Sequence, residues 1–266
     1  MYQNCFMGGN ISWGCMRVAL KFAYDGMDFS GYARQPGQKT IEEELLQLLT
    51  AQGFITDVKQ SCFRTASRTD RGVSALGNVC VFDTTLTYDE LFRVLPLDAS
   101  DVFVYGIHEV APGFYPRYAK QREYQYYLRR SGLDVDALLS AAGLFTGEHD
   151  FQNFARVEPS KNPVRTIDFI LVDVQDDFLV LDFYAETFLW NQIRRIVSAL
   201  KKVGEDALSL KSVRDALDHP EHKVDFQLAP AGPLLLKDVV YDFSFTYVKK
   251  YKKRLQEFEQ RIISLM

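Results

Sequence analysis

The sequence predicts an α+β protein built from two ferredoxin-like halves, each of order β-α-β-β-α-β, with antiparallel sheets joined side by side and a cleft between them. Two observations predict it. Period-two apolar runs alternate with helical segments, and the same order of elements occurs twice along the chain. The boundaries expected are an N-terminal extension at 1–15, a first half at 16–115, a second half at 116–247 and a basic helical tail at 248–266.

In the first half, "RVALKFAY" (17–24) alternates as a half-buried strand. The Gly/Pro-rich loop "SGYARQPGQK" leads to a helix starting at Thr40, where Thr40 and Glu43 have capping-box spacing. Leu45, Leu46, Leu48 and Leu49 supply its buried face, and Gly53 fits the stop. Strands are expected at about 57–64 and 77–83. A second capping box, Thr87 with Glu90, opens a short helix that must end before Pro96, because proline cannot donate to the helix ladder. "DVFVYGIHEV" (101–110) reads as the closing strand.

The second half repeats the order. "REYQYYLRR" is a strand, and Asp134 caps a helix through about Phe145. "VRTIDFILVDV" and "FLVLDFYAE" form a hairpin across Gln175, Asp176 and Asp177. A helix at 188–203 places Ile193, Ile196, Val197, Leu200 and Val203 on one face and is followed by Gly204. A short helix starts near Ser209, and "PLLLKDVVYDFSF" closes the half as a strand. Residues 146–164 form a long connection, and such segments are usually functional or disordered. Phe151 and Phe154 favour order, and the segment is expected to cover the cleft.

Composition bounds the function classes. The 266 residues are 47% hydrophobic and 25% charged, the balance of an ordinary soluble globular protein, and no apolar run approaches the roughly 20 residues a membrane span needs. Residues 1–15 carry no basic start and no continuous apolar stretch, so they do not read as a secretory signal. The four cysteines show neither a C-x-x-C pair nor a histidine at metal-ligand spacing, so reduced thiols in the cytoplasm are expected, with no metal site. The net charge of −4 argues against a uniformly basic surface. It leaves room for a local patch, because the field in a cleft depends on nearby residues. Positive residues do cluster, at Arg64, Arg68 and Arg71, at Arg117, Lys120 and Arg122, and at "KKYKKR" (249–254). The tail is expected as a solvated end.

The segment that points to chemistry is "ASRTDRGVSA" (66–75), in which Asp70 stands between Arg68 and Arg71 and is followed by Gly72. Taken alone, "TDRG" is an ordinary turn. It resembles, however, the signature loop of the tRNA pseudouridine synthase A family, G-R-T-D-A-G-V-H-A. The resemblance continues in family order: "YDGMDFSGYARQPGQKTIEEEL" matches the opening strand, loop and helix, "REYQYYL" the R-x-Y-x-Y strand, and "GEHDFQNFA" the G-x-H-D-F segment. "FLWNQIRRIV" resembles the F-L-x-N-x-V-R-R helix and "APAGPLLLKDVVY" the A-P-x-x-G-L-x-L closing strand.

Position by position, the resemblance implies that Asp70 is the catalytic aspartate, that Tyr124 stacks on the target base, and that Arg194 pairs with the Asp70 carboxylate. It implies that Leu234 lines the pocket and that Arg68 holds the RNA backbone or the place the flipped base leaves. Arg71 replaces the motif's alanine and adds a positive charge for phosphate. Ser67 replaces the usual glycine, Ser74 stands where histidine is common, and Gly232-Pro233 replaces an acidic or polar residue followed by glycine. The resemblance also implies a homodimer acting on the anticodon stem-loop of tRNA, at positions 38–40.

The residue types suit that reaction. Moving the C1′ bond of uridine from N1 to C5 involves no net oxidation, so no cofactor is expected. A carboxylate serves as nucleophile or base, and an arginine keeps it ionised and aimed. A non-catalytic RNA-binding protein of the same fold has no use for a carboxylate in a phosphate-holding loop. A glycosidic hydrolase wants two acids flanking the bond, and the sequence offers one. His219 and His222, separated by Pro220 and Glu221, read as an exposed loop. His108 and His149 have no partner in sequence.

Overall fold

The computed structural model of the chain describes residues 15–264. The expected start segment, 1–15, lies outside them apart from Cys15. The chain divides into two compact units: the first holds the residues up to Ala119 and Tyr241–Arg261, the second Lys120–Val240 and the end from Ile262.

In the first unit β1 (Met16–Tyr24) leads to α1 (Ile41–Ala51), β2 (Arg64–Thr65), β3 (Ser74–Thr84), α2 (Tyr88–Val94), β4 (Leu97–Ala99) and β5 (Val102–Glu109). β1 runs between β3 and β5, antiparallel to both, while β2 adds to β3 and β4 to β5. The fourth strand of the repeat thus lies beside the first, and the second beside the third. The central strand β1 is buried from Val18 to Tyr24, which explains why its sequence is more apolar than a half-buried strand requires.

Two expectations fail here. The strand expected at 57–64 shrinks to Arg64–Thr65. The cause is Asp57: its carboxylate accepts the N–H groups of Lys59 and Gln60 at 2.8 Å, and its carbonyl accepts that of Ser61 at 2.9 Å, wrapping the chain into a turn. Thr40 is the N-cap of α1 by position, but its hydroxyl makes no cap bond. The N–H groups of Ile41 and Glu42 bond instead to the carbonyls of Gly31 and Tyr32, so backbone from the preceding loop does the capping. The Thr40 hydroxyl is left buried with no hydrogen-bond partner. The Thr87–Glu90 capping box does form at the start of α2.

The second unit contains β6 (Gln121–Arg129), α3 (Val135–Gly143), β7 (Gly147–Asp150), β8 (Val164–Ile167), β9 (Phe169–Val174), β10 (Phe178–Ala185), α4 (Gln192–Gly204), α5 (Leu210–Asp218) and β11 (Leu234–Val240). β6 lies between β11 and β10, and β10 between β6 and β9, all antiparallel. This is the arrangement of the first unit repeated. Asp134 and Ser209 cap α3 and α5 by accepting from Ala137 and Ser212.

The segment 146–164 is more ordered than a long loop. β7 pairs with β8, a short 3-10 turn spans Gln152–Phe154, and Phe151 and Phe154 are fully buried. The run "VRTIDFILVDV" is accordingly two strands rather than one: it breaks at Asp168, whose N–H turns to the Tyr184 carbonyl, so that β8 pairs with β7 and β9 with β10. The helix expected from 188 begins at Gln192, because Asn191 adopts a left-handed conformation (φ 63°) and residues 189–192 close a turn.

After β11 the chain returns to the first unit, where β12 (Thr246–Tyr247) pairs with β5 and α6 (Tyr251–Ser264) follows. The expected closing strand 233–245 therefore ends at Val240. The tail is not a solvated end. Phe258 of α6 is fully buried, Tyr251 stacks on Tyr105 at 5.5 Å, and Arg254 grips Asp98 with two hydrogen bonds of 2.8 and 2.9 Å. Among the described residues no helix is long and apolar enough to cross a membrane.

These contacts predict three stabilities, each readable from urea unfolding. Phe258→Ala should cost about 3–5 kcal/mol, the usual loss for a buried phenylalanine. Thr87→Ala should cost about 1 kcal/mol as a lost N-cap. Thr40→Val, which swaps an unbonded buried hydroxyl for a methyl, should leave stability unchanged or raise it.

Candidate functional site

Arg68, Asp70 and Arg71 lie on the loop between β2 and β3 of the first unit. Both arginines are exposed and Asp70 is half-buried. Residues 66–73 form neither helix nor strand, yet the backbone is held at several points. The Ala66 N–H bonds to the Val79 carbonyl at 2.8 Å, and the Ser67 carbonyl accepts from the Asn78 side chain at 3.0 Å. The Thr69 carbonyl accepts from the Tyr32 N–H at 3.2 Å, and its hydroxyl shares a 2.8 Å hydrogen bond with the Tyr24 hydroxyl. The Val73 N–H then closes a turn on the Asp70 carbonyl at 3.1 Å, with Gly72 at φ 80°.

The support comes from the segment after β1. Gly26 packs so closely beneath the loop that a Cβ there would sit 2.1 Å from the Val73 carbonyl oxygen. Its N–H donates to the Ser74 hydroxyl at 3.0 Å. Ser74, standing where the resembled motif has histidine, is therefore a wholly buried acceptor for the neighbouring loop. Sequence reasoning passed over Tyr24, Gly26, Tyr32 and Asn78 as supports. The visible signal was Asn78, an amide inside the otherwise apolar run "VCVF" and its approach, where burial demands partners.

Tyr124, Arg194 and Leu234 belong to the second unit. Tyr124 is half-buried on β6, between Phe183 of β10 and Leu236 of β11, and meets the edge of Phe188 at 5.4 Å and 88°. Arg194, in the first turn of α4, is tied twice to Ala229: its Nε donates to the Ala229 carbonyl at 2.8 Å, and the Ala229 N–H donates to the Arg194 carbonyl at 3.1 Å. Ala229 opens the turn that delivers Leu234. The Leu234 N–H bonds to the Ala231 carbonyl at 3.0 Å, so Gly232-Pro233 is accommodated, and Leu234 is buried opposite Tyr126.

Tyr126 completes this corner. Its hydroxyl donates to the Pro230 carbonyl at 3.1 Å. Burial pushes its pKa up to about 12, opposed in part by the Arg194 charge, so it stays a neutral donor at physiological pH. On β8, burial lowers the pKa of the Arg165 guanidinium, with Glu186 acting the other way.

His219 and His222 lie exposed beside Glu221, and among the described residues no group of three or more His, Cys, Asp or Glu is placed to hold a metal ion. His108 stacks on Phe243 at 4.1 Å, an aromatic packing role.

The close fit beneath the Asp70 loop predicts that Gly26→Ala destabilises by about 3 kcal/mol or more, since backbone must move to admit the methyl. Ser74→Ala, which removes one acceptor from a buried N–H, should cost about 1–3 kcal/mol. Thermal or urea unfolding of the two variants checks both the size and the order.

The chain is similar in sequence to known proteins. A family model described as tRNA pseudouridine synthase matches residues 141–242. The tRNA pseudouridine synthase A of Thermococcus sibiricus is 45% identical over 230 residues, covering 85% of this chain and 85% of that protein. That of Pyrococcus abyssi is 39% identical over 257 residues, 93% of this chain and 95% of its own. That of Methanothermobacter thermautotrophicus is 36% identical over 254 residues, 94% of this chain and 88% of its own. With identities of this size over most of both lengths, the chain belongs to the tRNA pseudouridine synthase A family.

Proposed function

We propose that the protein isomerises uridine to pseudouridine in the anticodon stem-loop of tRNA, at positions 38–40, with Asp70 as the catalytic carboxylate. The observation that carries this reading is the Asp70 loop: a partly exposed carboxylate between two exposed arginines, on backbone held by hydrogen bonds from β1, β3 and the segment after β1. Membership of the family supports the activity, and the motif positions support the roles.

In this reading Arg194 reaches the Asp70 carboxylate. A guanidinium carries five N–H donors in a rigid plane. Fixing Nε on Ala229 sets that plane, so the remaining donors approach a carboxylate in a defined direction. Tyr124 takes the flipped uracil on its face, at a gain of about 1–3 kcal/mol that offsets the loss of stacking in the RNA. Arg68 and Arg71 hold phosphates on either side, and Leu234 supplies an apolar wall. Asp70 then acts at the sugar or the base, the N1–C1′ bond breaks, the base turns, and C5 bonds to C1′. The C5 proton leaves to solvent and N1 ends protonated, which balances the isomerisation without a cofactor. We further propose that the enzyme works as a homodimer with one tRNA touching both subunits.

The test uses unmodified tRNA carrying tritium at uridine C5. The wild-type protein should release label into water. Asp70→Asn should release none while still retaining tRNA on a filter. Tyr124→Ala should lower kcat/KM by an amount equivalent to about 1–3 kcal/mol, and Tyr124→Phe should recover most of it. Wild-type protein that binds tRNA and never releases label would favour an RNA-binding role without chemistry.

A further inference from the structure

We propose that Trp190 and Arg156 form a second stacking platform, which takes an unpaired base of the RNA substrate beside the uridine held at Tyr124. The inference rests on the reading of Tyr124 given above and adds a residue that no motif of the family signature specifies.

Trp190 leaves 48% of its surface in water, on a ring that combines a large apolar face with a polar N–H at its edge. The Arg156 guanidinium lies 4.1 Å from its ring centroid. The pairing is built in by backbone. Arg156 and Trp190 form an isolated antiparallel bridge in which the Arg156 N–H bonds to the Trp190 carbonyl at 2.8 Å.

The segment that carries Trp190 is also fixed on its other side. The Leu189 N–H donates to the buried Gln192 side chain at 2.7 Å, and the Gln192 N–H returns to the Leu189 carbonyl at 3.2 Å. Asn191 makes the left-handed step that separates Trp190 from α4. Within residues 188–194, Phe188 therefore packs on Tyr124, Trp190 faces solvent and Arg194 enters the Ala229 clamp. A rigid exposed indole with an arginine on its ring is the chemistry that receives single-stranded nucleic acid. The ring stacks on any base, and the cation meets the adjoining phosphate. The acid just before this stretch, Glu186, acts on Arg165.

Trp190 can be read directly. The chain has two tryptophans, and the other, Trp13, lies outside the described residues. In a Trp13→Phe background the emission reports Trp190 alone. Titrating with full-length unmodified tRNA should quench it with the same midpoint as filter binding, and adding Asp70→Asn should leave the quench intact. Trp190→Ala should raise KM for tRNA about tenfold with kcat little changed, and Trp190→Phe should restore most of the loss. Unchanged emission at saturating tRNA, or a Trp190→Ala enzyme with unaltered KM, would overturn the platform even when tritium release is normal. Quenching without tritium release in the Trp13→Phe protein would leave the platform standing and sink the catalytic reading instead.

Discussion

The feature on which the first unit depends is the hydrogen-bonded seat of the loop 66–73. A loop with no ladder of its own leaves every N–H and C=O in need of a partner. Here those partners come from two strands and from the segment directly after β1: Val79 and Asn78 on one side, Tyr24 and Tyr32 on the other. The close approach dictates residue types. Gly26 has no room for a side chain, Ser74 must be small and accept a hydrogen bond, and Asn78 must be an amide within the buried stretch of β3. Asp70 is thereby placed by hydrogen bonds from β1, β3 and the segment after β1, although it sits on a loop.

The second unit solves the matching problem differently. Long side chains such as arginine lose about 2 kcal/mol of rotamer entropy when fixed. Arg194 is fixed by its own backbone as well as its side chain, because the same residue, Ala229, accepts from the side chain and donates to the backbone carbonyl. The turn beginning at Ala229 then sets Leu234, and Tyr126 ties the next carbonyl. One short segment thus couples the position of a cation to that of an apolar wall and a neutral phenol.

Much of this was legible in the sequence, and the omissions share a cause. Periodicity found β1, β3, β5, β6, β10 and α4, because those elements bury a face and the face has a period. Local signals succeeded where the competing partner was also local, as with Thr87 and Glu90. They failed where backbone from elsewhere took the bond: the carbonyls of Gly31 and Tyr32 displaced the Thr40 cap. The strand expected at 57–64 lost to the Asp57 turn, a three-residue effect that apolar counting overlooks. The motif residues were named from resemblance. Of their supports, Asn78 left a signal as a polar residue beside an apolar run, whereas Gly26, Tyr32 and Ala229 became visible only with the backbone contacts, because each acts through a backbone group or the lack of a side chain.

The C-terminal helix shows the same limit at longer range. It begins in the basic run "KKYKKR" (249–254), and charge alone reads as solvated. Yet exposed ion pairs are worth roughly 0–1 kcal/mol each, whereas burying a phenylalanine contributes about 1.5–3 kcal/mol. The buried Phe258 therefore holds α6 in place, and the arginines around it set its register. The guanidinium groups of Arg254 and Arg261 lie over the Phe258 ring at 5.5 and 4.7 Å from its centroid. Arg254 reaches Asp98, and Arg261 reaches Asp25 at 3.3 Å and Asp101 at 3.6 Å. Asp25 also accepts the Met27 N–H and directly precedes Gly26, the residue on which the Asp70 loop rests. The far end of the chain is thus joined, through one phenylalanine and one ion pair, to the segment that seats the carboxylate.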